Sequence, residues 1–595
     1  MISNIKCLTS AVCVCLLLFV NCTIARGQPK ADTGSKVPVE ILSSTVFQAV
    51  QTDSGMLNKL IGNVALKQGE SLMYCDSAYI NVEKNNVQAF SNVVIVQPGG
   101  TQVESEYLRY VGNTRKAYLK SNVTLTDGET TLWAEELEYD LGTKIGVYTL
   151  GGTLQSQTTT LSSNIGNYHV RTKDARFTGE VFVTDPEYDV VSEDLGYNTE
   201  SKVVRFYGPS IVTNDKSELR TSSGTWDAKN EVGHFVTRSS IKSGEQYVES
   251  DTMDYNRKTG DGIAVGNVMA LDTAQRMTLY CGYVRYNEIT RQMLATRKPV
   301  MKQVTDNDSL YMRADTFFAA PVPLKKDTRL IGDSTLNNSS ITKSDSLRTI
   351  SKSVIPKAAQ LDTVSSDSTR PRYFIGYHHV LVYSDSLQAR CDSISYSQAD
   401  SIMRLMYDPV AWSRNSQITG DTILLYMDSS KLEKLYVPNN AFMVSQSGPP
   451  KAQLFDQTQG KTLTGYFENN TINEMIVEPG AEAIYYSKDD AGAYIGANQV
   501  QSERMKVYFK NEQVNKIVLE QEVKQTMTPM QQVNIPSMRL SRFQWLAEKR
   551  PQSVQELFLY DPYVDHNKEL AGEEERKGET EEGKTVPDDK KRNKR

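Results

Sequence analysis

The stretches Cys75-Asp76-Ser77-Ala78-Tyr79, Ser105-Glu106-Tyr107-Leu108-Arg109-Tyr110 and Ala134-Glu135-Glu136-Leu137-Glu138-Tyr139 are three copies of one pattern. Each has a small residue, then acidic, apolar and aromatic positions in alternation. The pattern returns from Ser163, Ser192, Ser222, Ser250 and Cys281, so successive copies start 28 to 31 residues apart. Alternation with period two is the signature of a half-buried strand, and a fixed period of this size marks a repeat architecture. A second element sits between the copies: Gly62-Asn63-Val64-Ala65-Leu66, Ser91-Asn92-Val93-Val94-Ile95, Ser121-Asn122-Val123-Thr124-Leu125 and Gly266-Asn267-Val268-Met269-Ala270. Asn and Gly tolerate the positive φ of tight turns, so each repeat reads as about three short strands joined by turns. Almost nothing has helical period.

Working outward, residues 323–371 break the repeat with Ser, Thr, Asp and Lys and read as a linker. The repeat resumes at Arg372, with clear copies at Arg390–Tyr396, Thr419–Tyr426 and Ser502–Tyr508. Residues 541–565, with Trp545 and Leu546, read as a short C-terminal helix or cap. Residues 566–595 are a mixed-charge run with almost no apolar content, which predicts disorder. At the other end, Lys6, the apolar run Ala11–Val20 and the small residues Thr23 and Ala25 form a secretory signal. Cleavage after Ala25 is expected, with lipid attachment at Cys22 as the alternative. The apolar run is short for a membrane span of ~20 residues.

At 595 residues, several modules or one long array are expected. A net charge of −6 offers no electrostatic case for nucleic acid. Beyond the signal region only Cys75, Cys281 and Cys391 remain, an odd and widely spaced set that fits small apolar residues better than a disulfide framework. The five histidines form no metal-binding spacing, and neither a phosphate-cradling glycine loop nor a nucleophile elbow occurs. His378 and His379 are expected on opposite faces of a strand. The recurring acids Asp76, Glu106, Glu135, Asp251 and Asp392 read as turn partners or a solvated face rather than catalytic carboxylates. No catalytic site, metal or cofactor is expected, and the chain reads as a non-enzyme. The column Tyr110, Tyr139, Tyr168, Tyr197, Trp226, Tyr255 and Tyr286 reads as a cross-strand stack or as a platform for sugars or lipid head groups. Val64 and Leu66, Val93 and Ile95, and Val123 and Leu125 fall on one side of their strands and are expected to line one apolar interior.

The unit Gly-Asn-Val-x-Leu followed by the acidic-apolar-aromatic strand resembles the OstA/LptA-like family of periplasmic lipopolysaccharide-transport and outer-membrane assembly proteins. The resemblance covers Ser43 to Ala320 well and Arg372 to Gln525 more loosely. It implies an all-β fold: an elongated antiparallel β-jellyroll of tandem repeats, in two or more modules, whose interior holds acyl chains. The modules fall at 43–160, 161–322 and 372–530. The same resemblance implies lipopolysaccharide or another lipid, other jellyroll proteins of the transport bridge, and the outer-membrane assembly protein as partners, with a periplasmic location. The alternative function is a structural or adhesive repeat protein of the cell envelope.

Overall fold

A computed structural model describes residues 37–560 except 53–54, 306–307, 324–369, 429–430, 469–470, 490 and 511–512. The signal region, nearly all of the 323–371 break and the charged tail lie outside the described residues. The chain is all-β, with antiparallel strands from Glu40–Ser43 to Lys524–Pro529 and one α-helix among the described residues, Val554–Leu559. No helix among them is long and apolar enough to cross a membrane.

The repeat is built differently from the expected three strands. The first copies supply two long strands each, such as Gly55–Gln68 and Ser71–Asn81, bent at the middle, and in several later ones the same run is split at the bend into two short strands, such as Ile145–Tyr148 and Gly152–Ser156. The Gly/Ser-Asn pairs are at these bends, not in the connecting turns. Gly62, Asn63, Ser91, Asn92, Ser121 and Asn122 all have positive φ. There the register slips between Ile61 and Val64, Phe90 and Val93, and Lys120 and Val123. A bulge adds a residue and bends a strand without ending its ladder. Successive bulges line up, so the meander is folded along a crease into two facing limbs. One limb, here limb A, carries Leu66, Ile95, Val103, Leu125 and Leu132. The other, limb B, carries Leu60, Ala78, Ala89, Leu108 and Leu119.

The small and acidic positions of the repeat hold the crease. Ser105, Ser163, Ser192 and Ser250 each donate their hydroxyl to the carbonyl two residues on, at 2.8–3.2 Å. Asp76 and Asp251 accept 2.8 Å bonds from the bulge residues Asn92 and Asn267. Asp421 accepts one of the same length from Asn440. At these three positions the repeated acid thus bonds an asparagine of positive φ at the adjoining bend. Cys75, Cys281 and Cys391 take the small position in their own strands and are buried and unpaired.

The chain divides into two compact units. Among the described residues the first runs to Pro186 and includes Tyr197–Glu200, and the second comprises Glu187–Gly196 and the residues from Ser201 on. In the second unit an extended strap, residues 530–560, runs back along the outer face of limb A. Gln457 donates to Met538 O (2.9 Å) and accepts from Leu540 N (2.8 Å). Gln417 repeats this with Gln544 O (2.8 Å) and Leu546 N (2.7 Å). A planar carboxamide can donate and accept side by side, so each glutamine holds the strap backbone as a neighbouring strand would. Leu540, Phe543 and Trp545 pack on Phe442, Val444 and Phe455. The strap ends where Arg313 donates to Leu557 O at 2.8 Å and Phe558 meets the Tyr280 ring.

Candidate functional site: the interior between the limbs

All six residues expected to line the interior are on limb A and face limb B, and none is more than 1% exposed. Cross-strand register joins Leu66 to Met73, Ile95 to Val103, and Leu125 to Leu132. Alternation on a pleated strand is sufficient to bring them together. In the first unit the two limbs touch: a Cβ placed on Gly146 of limb B would lie 2.9 Å from Leu125 Cδ2 of limb A.

A polar seam closes the mouth of this fold. The Tyr139 hydroxyl, at the tip of limb B, donates to Gln97 Oε1 at the tip of limb A (2.6 Å). Tyr110 does the same to Gln68. Tyr168 donates to Asp127 Oδ2 at 2.5 Å, and Lys173 Nζ is 2.6 Å from the same oxygen. Gln97 Nε2 also donates to Leu141 O (3.1 Å), and Lys144 Nζ to Pro98 O (3.0 Å). Three members of the aromatic column therefore neither stack on one another nor offer a platform, since their rings are buried and their hydroxyls cross to the facing limb. The local period shows the tyrosines but not their acceptors, which lie 41 or 42 residues away.

Burial raises the hydroxyl pKa of Tyr110 to about 12 and pushes Tyr139 and Tyr168 higher still, so all three remain donors. Burial alone would raise the Asp127 carboxyl. The bonds from Lys173, Tyr168 and the Thr130 and Glu129 amides outweigh it and hold the carboxyl below its usual range. At the outermost strands a pocket lined by Val39, Leu66, Met73, Ile95 and Tyr110 has room for about 10 Å³ of water-sized space. That is at most one water.

The remaining polar candidates do not converge. His378 Nδ1 is 2.9 Å from Asp392 and His379 Nδ1 is 2.8 Å from Asp315, so the adjacent histidines engage separate carboxylates at one bulge. Among the described residues no three His, Cys, Asp or Glu side chains gather to hold a metal.

The sequence profile of the OstA-like protein family matches residues 36–194. That stretch is similar to the OstA-like family. The OstA-like stretch contains all six interior positions and the whole tyrosine seam. Among solved structures, the chain is similar to LptH from Pseudomonas aeruginosa, described as the LptA homologous periplasmic component of the conserved lipopolysaccharide transport device. The similarity has 15% identity and a TM-score of 0.19, and covers 24% of this chain and 95% of that one. None of the curated proteins matches the sequence.

Proposed function

We propose that the protein is a non-enzymatic, periplasmic component of lipopolysaccharide transport or outer-membrane assembly. In this reading its interior takes lipid acyl chains, and its sheet ends dock with other jellyroll proteins. The observation that carries it is the unbroken apolar row on limb A of an OstA-like fold. Neighbouring positions on that row are nearly equivalent, so a chain can move along it in small steps. Each buried methylene contributes ~0.8 kcal/mol, while each seam bond is worth only ~0.5–1.5 kcal/mol net. A few methylenes therefore offset a parted seam, and limb-to-lipid contacts replace limb-to-limb ones. In this reading direction comes from an energised partner. At the first described strands, Glu40–Ser43 and Val46–Thr52 pair on one side only, with Leu42, Phe47 and Val50 exposed. An open strand edge of this kind suits strand addition.

The sealed, close-packed interior of the first unit favours a second reading, a structural or adhesive envelope protein. A photo-crosslinker at Ile95 or Leu125 separates the two. Capture of lipopolysaccharide in cells at those sites, and little at the outward-facing Val94 or Thr124, is the expected result. Equal capture on both faces, or none at any inward site of the chain, rejects the lipid reading and leaves the structural one.

A further inference from the structure

The outer face of limb B in the first unit carries a roomier cavity than the interior does. A surface pocket of about 180 Å³ is lined by Lys59, Leu60, Ser77, Ala78, Tyr79 and Phe90, against about 10 Å³ for the interior pocket beside Tyr110. The repeat explains the space. The first copy has Ser77-Ala78 where the second has Tyr107-Leu108 and the third Glu136-Leu137. These are two adjacent truncations, one on each face of the strand. They leave a hollow that the longer side chains of the next two copies would fill. Leu60 and Ala78, both buried, form its floor.

Its walls are aromatic and braced. The Tyr79 and Phe90 rings meet edge to face, with centroids 5.7 Å and planes 79° apart. Phe90 is supported from its other side by Tyr107 at 5.4 Å, and all three rings are half-buried. The rim is cationic. Lys59 Nζ lies 5.8 Å from the centre of the Tyr79 ring, at the outer limit of ~6 Å for a cation–π contact, and among the described residues no carboxylate pairs with it. Cross-strand register runs one outward row from Gln48 through Lys59, Tyr79 and Gln88 to Arg109, and another from Val46 through Ile61, Ser77 and Phe90 to Tyr107. These two rows hold two cations and no acid. The nearest acid in sequence, Asp76, is engaged at the crease by Asn92 at 2.8 Å. On the next two strands the balance changes, and Lys116 and Lys120 are paired with Glu138 and Glu136.

We infer that this pocket binds an acidic sugar, its ring against Tyr79 and Phe90 and its acidic group on Lys59. A sugar ring has apolar C–H faces and a polar edge. The electron-rich face of an aromatic ring attracts the polarised C–H groups, while the Ser77 hydroxyl in the lining and the exposed Gln88 carboxamide beside Tyr79 can bond the edge. The pocket is smaller than the ~300–1,000 Å³ of a drug-sized site, which suits a single ring. A longer saccharide would continue over Gln88 to Arg109, three strand steps or ~14 Å from Lys59. A bare anion would make no use of the two rings, and a hydrocarbon none of the ammonium. The site is on the opposite face of the sheet from the interior row, so the inference is independent of the lipid-carrier reading.

The test uses the full chain and three probes without acyl chains: glucuronic acid, glucose and inorganic phosphate. Saturation-transfer NMR reads contact with the sugar ring protons, and calorimetric titration reads affinity. Lys59→Met removes the cation, Ser77→Tyr gives the first copy the residue of the second, and Tyr118→Ala is an outward control on the same limb. Melting curves confirm that each variant folds. The expected result is saturation transfer to glucuronic acid, with an affinity several-fold above that for glucose. That affinity falls to the glucose level in Lys59→Met, is lost in Ser77→Tyr and is unchanged in Tyr118→Ala. Equal affinity for glucose, or no effect of Lys59→Met, overturns the acidic class of ligand. Phosphate that binds as tightly as glucuronic acid overturns the sugar and leaves an anion site only. Full binding in Ser77→Tyr, or loss in Tyr118→Ala, overturns the location. No transfer to glucuronic acid overturns the whole inference, and none of these outcomes touches the lipid-carrier reading.

Discussion

Tyr139 and Gln97, 42 residues apart in sequence, meet through a 2.6 Å hydrogen bond that ties the tip of one limb to the tip of the other. Both partners are buried, so the bond has no water to replace it. Tyr139→Phe is expected to cost about 1 kcal/mol, and a double-mutant cycle with Gln97→Ala to give a coupling of similar size. Urea denaturation measures both. Additive effects would mean that the contact closes nothing.

Asp127 gives the seam a pH dependence. Its folded pKa is held below the ordinary carboxyl value, near 3.8. A depressed acid stabilises the fold above its unfolded pKa, and that contribution is lost as pH falls through the lower, folded value. Asp127→Asn should therefore lower the melting temperature most at neutral pH. The gap to the native protein should shrink below about pH 4. A gap that is constant with pH would show that the carboxylate charge contributes nothing.

The strap depends on a few glutamines. Gln417→Ala leaves Gln544 O and Leu546 N without their partner and also removes the acceptor of the Trp412 indole, 3.2 Å away. A loss of roughly 2–3 kcal/mol is expected for such buried groups. Limited proteolysis should then cut within 530–560 faster than in the native protein. An unchanged cleavage rate would mean that the apolar anchors alone retain the strap.

Burial pushes the thiols of Cys75 and Cys281 up to about 11 and that of Cys391 to about 12. The thiolate is the reactive form, so alkylation at pH 8 should be slow for all three in the native state and fast in denaturant. Mass spectrometry of the labelled peptides reads each site separately. Rapid native labelling at Cys281 alone would place an opening at its crease.

The period of Ser105, Ser163 and Ser192 and the alternation at Val93 and Ile95 were enough to read an all-β repeat with one apolar face, because both are local properties of a pleated strand. The crease was half legible. Ser91-Asn92 was seen as a point of positive φ, but a bulge inside a strand and a turn between strands ask for the same residues. The seam was not legible, since nothing near Tyr139 points to Gln97. Nor was the strap: Met538, Leu540, Phe543 and Trp545 have no regular period because the facing sheet, not a helix, sets their spacing. The short helix expected within 541–565 is confined to Val554–Leu559.

The strap also fixes an order of events. Arg313 and Leu557 are 244 residues apart, and contacts this distant in sequence form late. In a chain made from its N-terminal end, the strands around Arg313, Gln417 and Gln457 emerge first and wait with an uncovered outer face. Residues 530–560 arrive later and travel back over them. The outer face of the second unit is therefore covered only once residues 530–560 have been made. A protein truncated before Met530 would leave Phe442, Val444 and Phe455 bare, a patch open to aggregation and to proteases. The strap thus marks a chain made through residue 560 apart from one interrupted earlier.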